Sequence, residues 1–234
     1  MKRLVKLFGF VILLALVAIV FLFYQQGLYK KWFYTRDKNK FVWGIDISHH
    51  QKNVDFDKLI TENKPAFVIL KSTEGKSHVD DAYAVRLSKF RELGIPVGGY
   101  HFFNYNVRGK LQAEHYIKTV GLRKGDLYPI LDVEMKHSGT QSKQWIVKEI
   151  KSFCELVEAE YGVKPIIYCE YDYYRKYLKE EFSDYQYWIS DFYMEPRCKY
   201  VMWQYDTLKV AGVEGYIDNN KLADGICIEE LILK

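Results

Sequence analysis

Apolar and polar positions along this chain change period repeatedly after residue 42. Short apolar runs read as strands at 42–48 (VWGIDIS), 66–73 (AFVILKST), 96–103 (PVGGYHFF), 127–134 (LYPILDVE), 164–170 (KPIIYCE), 185–192 (YQYWISDF) and 201–206 (VMWQYD), with a short piece near 216–218. Between them lie helix-like stretches at 80–94, 110–121 and 143–162, each closed by a glycine stop at Gly94, Gly121 or Gly162. Near-continuous apolar strands separated by helices predict a parallel sheet covered on both faces. About eight strands in roughly 190 residues predict one α/β domain, an irregular TIM-like (β/α) barrel whose last strands are crowded and short of helices.

The N-terminal pattern is different. Residues 7–24 carry no charge and follow Lys2, Arg3 and Lys6. At about 1.5 Å per residue the run just spans a hydrocarbon core of about 30 Å. No small-x-small cleavage site closes it, which favours an uncleaved transmembrane signal anchor over a signal peptide. The predicted organisation is a short basic N-terminus (1–6), the anchor (7–24), a juxtamembrane linker (25–41) and a catalytic barrel (42–234) on the extracytoplasmic side.

Charge refines this picture. The formal net charge is +4, but residues 1–40 hold eight Lys and Arg against Asp37 alone. The 34 basic residues less these eight leave 26 against 29 acidic ones, so the domain is slightly acidic. That argues against a nucleic-acid partner. The cysteines Cys154, Cys169, Cys198 and Cys227 have no zinc-type spacing and lie in or beside apolar segments, so buried free thiols are expected.

Candidate chemistry gathers where the strands end, as barrels of this kind require. Asp132 and Glu134 close the run YPILDVEM at i, i+2. In a strand such residues point the same way, roughly 6.5–7 Å apart. Two acids at one spot on an apolar strand are costly unless they act, and acid-assisted glycoside cleavage uses such a pair. Other strands end in Asp46 and Ser48, Lys71 and Glu74, His101, Glu170, Asp191, Gln204 and Asp218. Glu74 beside Gly75 reads as a loop cap, and His101 as a hydrogen-bonded core histidine. The acids with His49, His50 and His101 also permit a metal-dependent deacetylase of cell-wall sugars, although no HxxH or HxxE spacing supports one.

GIDISHHQ (44–51), KSTEG (71–75), GGYHFF (98–103), LDVE (131–134), WQY (203–205) and YIDNN (216–220) together resemble the glycoside hydrolase family 25 lysozymes, the Chalaropsis-type N-acetylmuramidases. The motifs follow the family's order over residues 43–220. The resemblance implies a (β/α) barrel that cleaves the β-1,4 bond between N-acetylmuramic acid and N-acetylglucosamine in peptidoglycan, with no cofactor and no metal, acting as a monomer. It implies Glu134 as a general acid with a raised pKa, and Asp132 as partner carboxylate that orients the substrate's own acetamido group. It implies Asp46 and Asp218 as further site acids. Tyr100, Tyr168 and Trp203 are implied sugar platforms, with Gln204 a hydrogen-bonding neighbour. Asp191 replaces a residue uncharged in many members, and the pair His49–His50 is unusual. A membrane-tethered glycan-binding pseudoenzyme is disfavoured because all four family acids are present.

Overall fold

The computed structural model describes residues 2–25, 41–134 and 141–234. Two units are distinct, 1–41 and 42–234. In the first, Lys2–Gln25 forms helix α1. Among the described residues no helix is long and apolar enough to cross a membrane, so the spanning helix expected over 7–24 is not supported there. The linker expected over 25–41 lies almost wholly outside the described residues.

The second unit is built on strands β1 (Trp43–Ile47), β2 (Phe67–Glu74), β3 (His78–Val79), β4 (Val97–Phe102), β5 (Ile130–Asp132), β6 (Ile166–Glu170), β7 (Tyr187–Ser190), β8 (Met202–Leu208) and β9 (Ile217–Leu222). The order is β1-β9-β8-β7-β6-β5-β4-β2, closed by β1–β2 pairing, with the two-residue β3 appended to β2. Eight described strands thus make a closed barrel. Helices α2 (Phe56–Asn63), α3 (Tyr83–Glu92), α4 (Gly109–Val120) and α5 (Lys143–Tyr161) accompany the first strands. A short helical segment at Tyr171–Leu178 follows β6.

Among the eight barrel strands the parallel expectation holds for all but β9; the appended β3 is also antiparallel to β2. Strand β9 runs antiparallel to both β8 and β1. Only the loop around Val210–Tyr216 separates it from β8, too short for the crossover helix a parallel return requires. The short α2 was not foreseen; Asp55 starts it by accepting the backbone N–H of Lys58. The glycine stops at the other helices were legible: Gly121 and Gly162 both take the left-handed conformation at helix ends.

Alternation along the strands divides the barrel. Phe67, Ile69, Ile130, Ile166, Tyr168, Trp188, Met202 and Leu222 form one buried cluster in the interior. Gly44 belongs there because a Cβ at that position would lie 2.4 Å from the Phe67 ring. All four cysteines are free; Cys154 and Cys169 are buried as expected, whereas Cys198 is partly exposed and Cys227 exposed.

Candidate active site

The apolar filling stops short of the C-terminal ends of the strands. There a cleft of about 410 Å³ opens, lined by residues of five strands and the loop after β1. Asp46, Asp132, Glu134, Asp218 and Tyr100 all face it. Asp132 ends β5 and Glu134 follows two residues on, so the i, i+2 spacing delivers both acids to one space. Acids from three widely separated segments of the chain are thereby brought together.

Asp46 is the most elaborately held. Its Oδ2 accepts from Gln204 Nε2 at 3.1 Å and from Asn220 Nδ2 at 2.8 Å. Each amide is itself oriented: Tyr168 donates its hydroxyl to Gln204 Oε1 at 2.8 Å, and Trp188 donates Nε1–H to Asn220 Oδ1 at 2.8 Å. With each amide oxygen already taken, the NH₂ groups must face Asp46. Burial, then the neighbouring Asp218, push the Asp46 carboxyl up to about 8 despite the two donors. Asp218 is raised too, through burial, and accepts from Thr207 Oγ1 at 2.9 Å.

Asp132 is held differently: among the described residues its Oδ1 is buried with no hydrogen-bond partner. Burial, then Glu134, Asp46 and Glu170, hold its carboxyl well above the ordinary range, against a smaller opposing effect of Lys71. An unsatisfied buried carboxylate oxygen costs stability and is retained where an incoming group completes it.

The remaining expected residues divide. Tyr100 lines the cleft. Tyr168 and Gln204 sit behind Asp46, linked to it by hydrogen bonds; neither lines the cleft. Trp203 is not a platform: it is fully buried, and its Nε1–H donates to the Asp191 carbonyl at 2.8 Å. Strand alternation explains this, since Met202 and Gln204 face the interior and Trp203 faces out. Asp191 lies outside the cleft as well, where its Oδ1 accepts the N–H groups of Tyr193 and Met194 and shapes the turn after β7. Glu74, read as a loop cap, instead lines the cleft and pairs with Lys71 at 2.7 Å. His101 is the buried core histidine expected. It bonds Thr73 Oγ1 at 2.8 Å and Gln112 Oε1 at 3.1 Å, and burial lowers it to about 3.

Ser48, named among the strand-end polar groups, and His50, named only in the metal reading, line the cleft together with Gln51, which sequence reasoning did not single out. His49 turns away, its N–H and Nδ1 both meeting Asp80 Oδ2, at 2.9 and 2.7 Å. Arg86 of α3, nearly buried, donates to the carbonyls of Ser48 (2.5 Å) and Gln51. An arginine within an otherwise apolar helix face was the available signal. Asn220 was visible in the YIDNN string, but nothing local announced that its amide would meet Asp46. Among the described residues no group of three or more His, Cys, Asp and Glu side chains is arranged to hold a metal ion.

Comparison with known proteins decides what this cleft belongs to. The family model described as "Glycosyl hydrolases family 25" matches residues 45–213. The chain belongs to glycosyl hydrolase family 25. Membership makes it a glycoside hydrolase. Among curated family relatives it is 30% identical to the uncharacterized protein YegX of Escherichia coli over 188 residues, which are 76% of this chain and 68% of that one. It is 28% identical over 189 residues to an autolytic lysozyme of Clostridium acetobutylicum, covering 79% of this chain and 57% of that relative. A solved family 25 glycosyl hydrolase from Bacillus anthracis superposes with a TM-score of 0.73 at 28% identity, over 81% of this chain and 91% of that one.

Proposed function

We propose that this family 25 enzyme is a muramidase that cleaves the β-1,4 bond between N-acetylmuramic acid and N-acetylglucosamine in peptidoglycan. The observation that carries this reading is the delivery of Asp132 and Glu134 to one cleft beside Asp46 and Asp218. Relatives described as an autolytic lysozyme and an N,O-diacetylmuramidase support the substrate class.

In this reading Glu134 protonates the glycosidic oxygen as the bond to the anomeric carbon breaks. The carbonyl oxygen of the substrate's own 2-acetamido group attacks that carbon, and Asp132 receives the acetamido N–H. The unpartnered Oδ1 of Asp132 supports that assignment, because it is an acceptor awaiting a donor. Water then opens the cyclic intermediate, and its proton returns to Glu134. Asp46 and Asp218 hold the sugar and set the charge around the reacting pair. Tyr100 offers a face for it.

The test is digestion of purified peptidoglycan, with released fragments reduced and read by mass spectrometry, alongside Glu134→Gln. New reducing ends on N-acetylmuramic acid, absent in the variant, are expected. Binding without cleavage would replace this reading with a pseudoenzyme, and loss of acetyl groups from intact chains with a deacetylase.

Location is part of the same reading. The uncharged run over 7–24, with apolar side chains of α1 from Phe8 to Leu22 exposed, supports a tether that holds a monomeric domain on the extracytoplasmic side. Cell fractionation with and without residues 1–41 tests it; equal recovery of both forms in the soluble fraction would overturn the tether.

A further inference from the structure

Five carboxyl groups line the cleft: Asp46, Glu74, Asp132, Glu134 and Asp218. Against them stands a single lysine among the described lining residues, Lys71. It lies on β2, in the otherwise apolar run AFVILKST, and its side chain is only 11% exposed. Burying an ammonium on a barrel strand is costly unless it has an anion to meet. One anion is present, Glu74 Oε2 at 2.7 Å, and the ammonium also sits 4.9 Å over the Phe102 ring. Yet Glu74 is a third exposed, on the rim. An ammonium carries three N–H donors, so a ligand carboxylate can share Lys71 with Glu74 or displace it. The chemistry of the substrate proposed above makes this consequential. N-acetylmuramic acid differs from N-acetylglucosamine by a 3-O-lactyl group, which ends in a carboxylate or continues into a peptide bearing carboxylates. An anionic strand entering a cleft lined by acids is repelled unless a fixed cation answers it.

We propose that Lys71 is a specificity-determining residue that reads a carboxylate carried by the glycan strand and so distinguishes muramyl strands from uncharged ones. The inference rests on the muramidase reading. The anion it binds is a carboxylate of the lactyl group or of the attached peptide. Glu74 holds the ammonium in place until that anion arrives.

The experiment measures kcat and KM for wild type, Lys71→Met and Lys71→Arg. The substrates are peptide-free N-acetylglucosamine–N-acetylmuramic acid oligomers with the lactyl carboxylate free, the same oligomers with it converted to the methyl amide, and peptide-bearing strands before and after methyl esterification. Wild type is expected to show a lower KM for the free carboxylate in one of the two pairs, by about tenfold to a hundredfold, the range of a charge-assisted hydrogen bond. The pair that responds identifies the source. Lys71→Met is expected to erase that preference, and Lys71→Arg to restore part of it. A wild type without preference in either pair overturns the proposal. So does a Lys71→Met enzyme that slows equally on charged and neutralised substrates, because a purely structural ion pair behaves that way. Failure of the wild type to cleave any of these oligomers is a different result: it removes the muramidase reading, and this inference with it.

Discussion

Asp46 on β1 and Asp218 on β9 lie directly opposite each other in the antiparallel register. Like charges so placed destabilise a sheet, and here both side chains face a partly buried cleft. The pair therefore retains a proton where isolated carboxyls would not, and Asp46, fixed by Gln204 and Asn220, is pushed up to about 8. The two acids are farther apart in the chain than almost any other pair of site residues. Antiparallel β9, inserted between β8 and β1 to close the barrel, is what joins them.

That pairing sets a pH dependence of stability. The folded state holds the Asp46 proton to higher pH than the unfolded chain, whose carboxyl titrates near 4. The contribution is fully present below the unfolded value and is lost as pH rises toward about 8. Melting temperature is expected to fall across that window. Asp46→Asn keeps an oxygen to accept from Gln204 and Asn220 and removes the titration. Its melting temperature should decline less over the same range while hydrolysis is lost. A scan of thermal melts from pH 4.5 to 9 checks this, and parallel curves for the two proteins would count against it.

Asp132 makes the opposite compromise visible. A buried carboxyl with one oxygen unpartnered and a raised pKa is a cost to the fold. Asp132→Asn should lower the hydrolytic rate by at least about a hundredfold, within the range assigned to positioned proton-handling groups. It should also raise the melting temperature at pH 7 by a few degrees, since each kcal/mol is worth about 2–4 °C in a domain of this size. Steady-state kinetics and calorimetry on one sample separate the two effects. A variant both inactive and less stable would show that the carboxylate supports the fold.

Side-chain placement was legible in the sequence where strand pattern and chemistry coincide. The acids at 46, 132, 134 and 218 sit at strand ends, where alternation decides their direction, and all four line the cleft. Placement was not legible where a side chain's role depends on a partner far along the chain. Trp203 was read as a platform because an aromatic beside Gln204 suits a sugar site. One residue of strand alternation turns it to the outer face, where Asp191 fixes it through a backbone carbonyl. Gln204 and Tyr168 were grouped with the substrate, but they are links in a chain ending on Asp46. Glu74 beside a glycine looked like a cap, but the register shift between Lys71 and Thr73 on the same strand lets it pair with Lys71 at i, i+3. The antiparallel course of β9 left no signal beyond the shortness of the connection before it.

The Tyr168–Gln204–Asp46 chain is open to direct measurement. Tyr168→Phe removes the hydroxyl that donates to Gln204 Oε1 at 2.8 Å and leaves the ring packed against Trp188, 4.4 Å between centroids. The Gln204 amide is then free to turn its oxygen toward Asp46. The expected cost to stability is about 1 kcal/mol, that of one buried hydrogen bond. The expected functional signature is a shift in the pH–rate profile with little change in KM, because Tyr168 does not line the cleft. An unchanged profile would mean that the Gln204 amide is oriented without this hydroxyl.

Arg86 is the last element on which the cleft depends, and it lies outside it. Its guanidinium donates to the carbonyls of Ser48 and Gln51 while Asp80 holds the His49 backbone, so α3 and the segment before it fix the loop that supplies Ser48, His50 and Gln51. In Arg86→Ala the Gln51 carbonyl loses its Arg86 donor and the Ser48 carbonyl is left with the Gln51 N–H at 3.1 Å. The expected destabilisation is about 2–4 kcal/mol from the unmade charge-assisted bonds. Arg86→Lys retains a charge but cannot reach both carbonyls with one planar fork, so it should recover part of the stability and less of the geometry. Both variants are expected to raise KM more than they lower kcat at a temperature where they remain folded, since the loop borders the cleft without carrying its acids. Amide hydrogen exchange at residues 48–51 supplies the independent reading: protection there should drop in Arg86→Lys before global unfolding. Retained protection would assign the loop's order to Asp80 and the Gln51 amide, which bonds the Tyr216 carbonyl at 2.9 Å.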